Sequence, residues 1–227
     1  MKLHVLLLGK LAYFLAGRGC FRHIPDEPYL KCIFYLRTGK KIDFNCPKTF
    51  SEKINWLKIH DRNPYYTKLV DKYEVKQIVG EIIGESHIIP TYGVWNTFDE
   101  VDFNSLPKEF VLKCTHDSGS VVIIRDKDNV DKAELKRHFE ECMSKRIYDY
   151  AREWAYRDVS PRIIAEKYMF DESGVELKDY KLFTFNGKAK IIQVDFNRFS
   201  GHKRLYYSRE WEKLELSILI KSSDKVI

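Results

Sequence analysis

The apolar positions at the start of the chain have the spacing of a helix. The stretch MKLHVLLLGKLAYFLA is apolar apart from a few basic residues and predicts an amphipathic helix. Lys10 interrupts it, the uninterrupted part is well below the roughly 20 residues that span a bilayer, and no clear cleavage site follows, so secretion is not expected. Two placements stay open. The helix packs on the body of the protein, or it makes peripheral contact with the inner membrane surface, its Lys and Arg toward the headgroups.

Two further helices are predicted before the texture of the sequence changes. One follows Thr49 or Ser51, either of which can cap its first turn. The next begins at Tyr65 or Thr67 and ends at Ile83, because its apolar residues lie near one stripe. Ahead of both helices, turns are predicted at Pro25, Pro28, Gly39 and Pro47.

From about residue 87 onward, short β-branched and aromatic runs bounded by turn residues predict strands. These runs are HIIPTYGVW, EFVLKC, SVVIIRD, PRIIAEKYM, YKLFTFN and KAKIIQVDFNRF. Among them, VDKAELKRHFEECMSKRIYDYAREWAYR predicts a helical stretch that starts near Asp131. The dipeptide Asn186 and Gly187 predicts a hairpin with a two-residue type I′ turn. No final element is predicted for the last dozen residues.

Composition and charge narrow the function only slightly. The 227 residues are 44% hydrophobic and 32% charged, an ordinary globular balance. The net charge of +6 fits an anionic ligand, but the 39 basic and 33 acidic residues are interspersed, so no nucleic-acid partner is predicted. The scattered cysteines favour neither disulfides nor a thiolate zinc site and suggest a cytoplasmic setting. They are Cys20, Cys32, Cys46, Cys114 and Cys142.

The first candidate for chemistry is the segment LPKEFVLKCTHDSGSVVIIRD, in which Lys113 ends an apolar strand before a small polar loop. The lysine ammonium and the N–H and hydroxyl groups of the loop can donate hydrogen bonds to phosphate oxygens. A plain hairpin stays open as the alternative, and the segment lacks the P-loop pattern. The candidate residues are Lys113, Thr115, His116, Ser118, Gly119 and Ser120, with His116 either contacting a γ-phosphate or only shaping the turn.

The second candidate is the end of PRIIAEKYM. The backbone of Lys167, Tyr168 and Met169 can meet the edge of an adenine ring, with Glu166 accepting from the exocyclic amine. The alternative is an ordinary edge strand.

The third candidate is DYK, where Asp179 and Lys181 alternate with Tyr180 and therefore share one face of a strand. These two side chains can bind ribose hydroxyls and a phosphate, or they form a structural ion pair. After the hairpin, Asp195 with Asn197 and Arg198 either faces an acceptor substrate or forms another ion pair.

These segments, in this order, resemble the ATP-grasp superfamily and more narrowly its teichuronopeptide-biosynthesis, or TupA-like, branch. The resemblance runs from about residue 25 to about residue 211 and includes YLRTGKKIDFNCPKTFSEKINWLKIHDR upstream. It implies an α+β fold in which two lobes clasp ATP. The expected divisions are a helical region (1–66), a pre-grasp segment with the first lobe (67–160) and a partial second lobe (161–227).

By the same resemblance, Lys113 and residues 115–120 match the phosphate-binding lysine and flexible loop, and residues 166–169 match the adenine-binding hinge. Asp179 matches a ribose-binding acid and Lys181 a phosphate ligand. Asp71 and Lys72 match the residues with which the family's fold begins.

The resemblance implies a carboxylate–amine ligase that uses ATP with Mg²⁺ and acts on a small-molecule or glycan-precursor acceptor in cell-surface polysaccharide biosynthesis. The family's metal-binding acids lie beyond the DYK hairpin and find no match here, so Mg²⁺ is expected to be carried by ATP itself. No catalytic residue is assigned. The second lobe is expected to be incomplete. Two interpretations stay open: a truncated product with half a catalytic site, or a pseudoenzyme that keeps nucleotide binding. The alternatives are a glycosyltransferase that uses a nucleotide sugar and a non-catalytic nucleotide-binding module.

Overall fold

The chain is described by a computed structural model over residues 2–171, 177–197 and 201–216, with side chains from residue 8 onward within these ranges. It divides into two compact units, Met1–Tyr168 and Met169–Ile227. The division falls after the strand that the sequence-based boundary at residue 160 assigned to the second lobe. That strand hydrogen-bonds to two strands of the first unit, which places it there.

The first unit opens with three helices, α1 (Lys2–Gly17), α2 (Asp26–Thr38) and α3 (Phe50–His60). The sequence predicted α1 and α3, whereas α2 covers a segment for which only turns were predicted. Pro28 does not mark a turn as expected but lies in the first turn of α2, where a missing N–H costs no helical hydrogen bond. Thr49, not Ser51, caps α3, and Glu52 completes a capping box. These helices bury an apolar cluster around Tyr29 and Phe34.

The helix predicted to end at Ile83 is instead two helices, α4 (Tyr65–Val70) and α5 (Glu74–Ile83). The break follows from the contacts of Asp71 and Lys72. The Lys72 N–H donates to the Thr115 carbonyl at 3.0 Å, outside any helix. The buried Asp71 carboxylate accepts from the N–H groups of Tyr73 and Glu74. Tertiary contacts therefore outweigh a continuous helical pattern.

Four antiparallel strands form the sheet of the first unit: β1 (Thr91–Trp95), β2 (Phe110–Cys114), β3 (Val122–Ile124) and β4 (Ile163–Lys167). Their order is β1-β4-β2-β3, so β4 is an interior strand rather than the edge strand that its sequence suggested. Phe110 and Leu112 point into the core of this unit and are fully buried. Burying each such side chain contributes about 2 kcal/mol.

The predicted helical stretch after Asp131 is also interrupted. It forms α6 (Lys132–Ser144), capped by the Asp131 carboxylate, and the short α7 (Ile147–Ala151), followed by a single 3₁₀ turn. Phe139 of α6 is fully buried against the sheet. The connection after α7 passes through Arg152, whose positive φ of 52° ends the helix.

The second unit contains a three-stranded antiparallel sheet, β5 (Asp179–Phe185), β6 (Lys188–Phe196) and β7 (Lys203–Tyr207). The predicted turn joins β5 to β6, with Phe185 opposite Lys188 and φ values of 49° at Asn186 and 75° at Gly187. The hairpin prediction is confirmed. β7 was not predicted. Most of the chain's last dozen residues, for which no element was predicted, lie outside the described residues.

Candidate functional site

Lys113 lies at the end of β2 and forms an ion pair with Glu166 of the neighbouring strand β4. Val111 is the residue directly opposite Glu166, so Lys113 reaches the carboxylate along the diagonal of the antiparallel pair. Glu166 is 3% exposed, which makes it a buried carboxylate. A buried charge needs close partners, and Lys113 is one of two.

The second partner is Lys76 of α5, whose Nζ lies 2.6 Å from Glu166 Oε1. The same ammonium donates to the Ile89 carbonyl at 2.7 Å and to the Thr91 hydroxyl at 2.8 Å. Two lysines therefore share one carboxylate, which leaves one positive charge in excess beside the end of β2. Lys76 was not predicted as a site residue. Its position on the polar side of the predicted helix, five residues after Asp71, is the signal that could have indicated it.

The loop after Lys113 is anchored at both ends. The Thr115 N–H donates to the Arg162 carbonyl at 2.8 Å. At the other end, the Ser120 hydroxyl accepts from the Cys114 N–H and donates to Asp117, both at 2.7 Å. Thr115 and Ser120 are buried, and the Thr115 hydroxyl donates to the Ser160 carbonyl at 3.4 Å. Phosphate binding by these two hydroxyls stays a prediction.

The tip of this loop, Ser118 and Gly119, is exposed. Gly119 has a φ of 130°, a backbone conformation that residues with a side chain rarely adopt. A Cβ at this position would meet no atom within 4 Å. The tip can therefore bring backbone N–H groups close to an anion. Of the predicted phosphate-binding hydroxyls, Ser118 is the one that faces solvent.

Lys72 lies beneath the same loop. Its Nζ donates to the Cys114 carbonyl at 2.8 Å and to the Asp117 carbonyl. Burial lowers the pKa of Lys72; the Asp117 carboxylate opposes this shift, and the Lys113 ammonium adds to it.

Asp71 fixes the segment that carries Lys72. It is 2% exposed and accepts a hydrogen bond from Arg162 at 2.8 Å. Arg162 in turn contacts Glu74 at 3.2 Å, and its carbonyl holds Thr115. The start of α5, the strand β4 and the loop are thereby held together by one buried carboxylate.

His116 is 4% exposed, and its Nε2 lies 3.1 Å from the Lys145 carbonyl at the end of α6. Burial lowers the pKa of His116, which favours the neutral ring. These contacts fit the structural alternative, in which His116 shapes the turn. Its contact with a γ-phosphate stays a prediction.

Lys167, at the end of β4, and Tyr168, directly after it, already have partners within the protein. The Lys167 N–H donates to the Pro90 carbonyl at 2.9 Å, so this amide already has a partner. Tyr168 is buried, and its hydroxyl accepts from Arg125, whose guanidinium lies 3.8 Å above the ring centre. Met169 is half-buried and begins the second unit. Adenine contact by these residues, and by Glu166, stays a prediction.

In the second unit, Asp179 and Lys181 lie on one face of β5 as the alternation predicted. Lys181 contacts both Asp179 and, at 2.9 Å, Asp195 of β6. Asp195 is 1% exposed and also accepts from Arg204 of β7. The structural ion-pair alternative is therefore present for both aspartates.

Several donors surround the Asp195 carboxylate. Gln193 donates to it at 3.0 Å, and His202 Nε2 lies 3.2 Å away. Burial alone would raise the pKa of Asp195, but the hydrogen bonds from Arg204, Lys181 and His202 outweigh burial and lower it. Arg204 and His202 were missed because β7 was not recognised in the sequence.

The comparison with protein-family models gives a match. The model described as TupA-like ATPgrasp matches residues 52–225, more than half of the chain. The chain belongs to the TupA-like ATP-grasp family. Its α+β architecture, with a helical region followed by two antiparallel sheets, agrees with that fold. No curated protein and no solved structure matches the chain significantly.

For a TupA-like ATP-grasp chain, two kinds of ligand have to be tested against the residues present. The Lys113 and Lys76 ammonium groups, with the exposed tip at Ser118 and Gly119, fit a phosphate-bearing ligand. Within the described ranges, no group of three or more His, Cys, Asp or Glu is placed to hold a metal ion. Mg²⁺ carried by ATP itself stays a prediction.

Proposed function

We propose that this TupA-like ATP-grasp chain binds ATP with Mg²⁺ and that Lys113 is its principal phosphate contact in the first unit. The observation that carries the proposal is the pairing of two lysines with one buried carboxylate beside an exposed glycine turn. A triphosphate supplies the negative charge that this arrangement lacks. The family membership supports the nucleotide as the source of that charge.

Each residue has a distinct part in the proposal. Lys113 donates to a phosphate oxygen, and Glu166 holds the Lys113 ammonium at the end of β2. Lys76 acts through Glu166 and is a positioning residue. The backbone at Ser118 and Gly119 donates further N–H groups. Asp179 and Lys181 are retained as proposed ribose and phosphate contacts in the second unit.

The reaction we propose is ATP-dependent ligation of a carboxylate to an amine on a small-molecule or glycan-precursor acceptor in cell-surface polysaccharide synthesis. The support is the family membership and the cationic site; no catalytic residue is assigned to the chemical step. The proposed setting is the cytoplasm, where ATP is available. Within the described residues, no helix has both the length and the apolar character needed to cross a bilayer.

The test is a thermal-shift titration with MgATP on the native chain, on Lys113→Ala and on the control Lys108→Ala. Lys108 lies just before β2, its side chain is 73% exposed, and its nearest carboxylate is 3.9 Å away. We expect MgATP at 100 times its Kd to stabilise the native chain by about 2.7 kcal/mol. Lys108→Ala should keep this gain and Lys113→Ala should lose most of it.

Two outcomes would contradict the proposal. An equal gain in Lys113→Ala would show that nucleotide binds elsewhere. A larger gain with a uridine diphosphate sugar than with ATP would favour the glycosyltransferase alternative.

A further inference from the structure

The helix α1 (Lys2–Gly17) presents two different faces. Gly9 packs on α2 so closely that a Cβ there would lie 2.8 Å from the Leu36 carbonyl oxygen, and Ala16 is fully buried. On the opposite side, Leu8, Leu11 and Phe14 are 55%, 52% and 56% exposed. Their spacing of three residues places them in one row along the helix. We call Leu8, Leu11 and Phe14 the outer apolar row.

Basic side chains accompany the outer apolar row. Lys10 and Arg18 are exposed, and the Arg18 guanidinium lies 3.6 Å from the centre of the Phe14 ring. Arg22 follows, with a side chain that is 57% exposed. The sequence contains no Asp or Glu before Asp26. This part of the chain therefore combines exposed apolar side chains with basic side chains and contains no acidic ones.

Acidic groups do approach this region from later helices, but each has a basic partner. A cavity of about 750 Å³ beside Phe14 and Arg18 is also lined by Glu141 and Asp149. Glu141 forms an ion pair with Lys145 at 2.7 Å, and the largely covered Asp149 lies 3.8 Å from Arg22. These carboxylates do not reverse the positive charge around the outer apolar row.

We propose that the outer apolar row, with Lys10, Arg18 and Arg22, binds the surface of an anionic lipid bilayer. Apolar side chains on a helix that lies in the plane of the interface enter the headgroup region, and flanking Lys and Arg attract anionic lipids. The 16-residue length of α1 fits lying on the surface, because spanning a bilayer takes roughly 20 apolar residues. The expected lipid is one with a negatively charged headgroup, such as phosphatidylglycerol.

Charge complementarity selects this occupant over a second copy of the chain. Pairing two copies through this face would bring Lys10 and Arg18 of each copy together, and like charges repel. A lipid surface supplies the opposite charge and an apolar layer together. The proposal does not depend on nucleotide binding, because none of the residues of α1 takes part in the proposed ATP site around Lys113.

The experiment is co-sedimentation of the full chain with vesicles of neutral phosphatidylcholine and with vesicles that contain 30% phosphatidylglycerol. The apolar test is Leu11→Gln with Phe14→Gln, and the matched control is Phe50→Gln, since Phe50 of α3 is an apolar residue that is 79% exposed. The charge test is Lys10→Gln with Arg18→Gln. Circular dichroism checks that each variant is folded.

We expect the native chain and Phe50→Gln to sediment with anionic vesicles and to stay in the supernatant with neutral vesicles. The partition coefficient should fall about tenfold in the apolar double variant. It should fall about fivefold for each charge removed in the basic double variant, with a further decrease at high salt.

Three results would overturn the proposal. One is failure of the native chain to sediment with anionic vesicles. Another is equal loss of binding in Phe50→Gln and in the apolar double variant. The third is sedimentation equilibrium showing a dimer that the apolar double variant dissociates, which would assign the outer apolar row to a second copy of the chain.

Discussion

At the scale of single residues, the buried Glu166 carries most of the argument for the site. Its carboxylate is 3% exposed and faces Lys76 and Lys113, so its charge is compensated in place rather than by water. The role predicted for it, accepting a hydrogen bond from adenine, has to compete with both lysines. Lys113 keeps its predicted place beside the loop, but its position depends on a residue of another strand.

The change Glu166→Gln tests this dependence. Removing the negative charge leaves two partly buried ammonium groups without their carboxylate. Breaking a buried ion pair costs about 3–5 kcal/mol of unfolding free energy, and we expect a loss in this range in urea denaturation. Glu109→Gln is the control, because Glu109 forms an exposed pair with Arg125 at 3.8 Å and should lose at most about 1 kcal/mol. A loss below 1 kcal/mol in Glu166→Gln would contradict the interpretation.

At the scale of elements, the hairpin turn and two helix caps are determined by the chemistry of residues close in sequence. The Asn186 and Gly187 turn between β5 and β6 has positive φ at both residues, which is the requirement of a type I′ turn. Asp131 caps α6, and Thr49 with Glu52 caps α3. Each of these depends on neighbours within four residues and is therefore independent of the rest of the fold.

Gly187→Ala tests the turn. Gly187 has a φ of 75° and no atom within 4 Å of an added Cβ, so the change acts through backbone strain rather than a clash. We expect a loss of about 1–2 kcal/mol in unfolding free energy. Gly17→Ala is the matched control, because Gly17 ends α1 with the same open space and without a positive φ. Equal effects in the two variants would rule out strain as the cause.

At the scale of the whole molecule, each of the two units has its own sheet and its own buried charge. In the first, Asp71 and Glu166 are compensated by Arg162 and by lysines. In the second, Asp195 connects all three strands, since Lys181 is on β5 and Arg204 is on β7. The stability of the second unit therefore depends on the ionised form of one carboxylate.

This dependence predicts loss of stability in acid. The folded-state pKa of Asp195 lies below its usual value, so its stabilising contribution is complete above about pH 4 and is lost as the pH falls toward the folded-state pKa. At pH 7, Asp195→Asn should unfold with about 3 kcal/mol less free energy than the native chain. The difference should shrink as the pH falls below 4, measured by urea denaturation at each pH.

The exposed pair of Asp99 with Lys136 provides the control. Asp99→Asn should change stability by no more than about 1 kcal/mol at any pH. A difference between native chain and Asp195→Asn that stays constant from pH 7 to pH 3 would show that the buried carboxylate contributes through packing rather than through its charge.

The sequence by itself determined what depends on near neighbours or on an ordered set of motifs. The first helix, six of the seven strands in the described part of the chain, the hairpin turn and the caps follow from spacing and turn chemistry. The ordered segments around Lys113 and DYK determined the family, which the family match confirms. Such features need no knowledge of which distant residues meet.

Only the tertiary structure decided which distant groups share a site. Lys76 and Lys113 are far apart in the chain, and they meet because β4 lies between β1 and β2 and carries Glu166 to both. The same physics split the helix at Asp71, since a buried carboxylate that accepts from the N–H groups of Tyr73 and Glu74 and holds Arg162 outweighs one more turn of helical pattern. A buried charge is placed by the partners that compensate it. Those partners come from elements that local sequence cannot bring together.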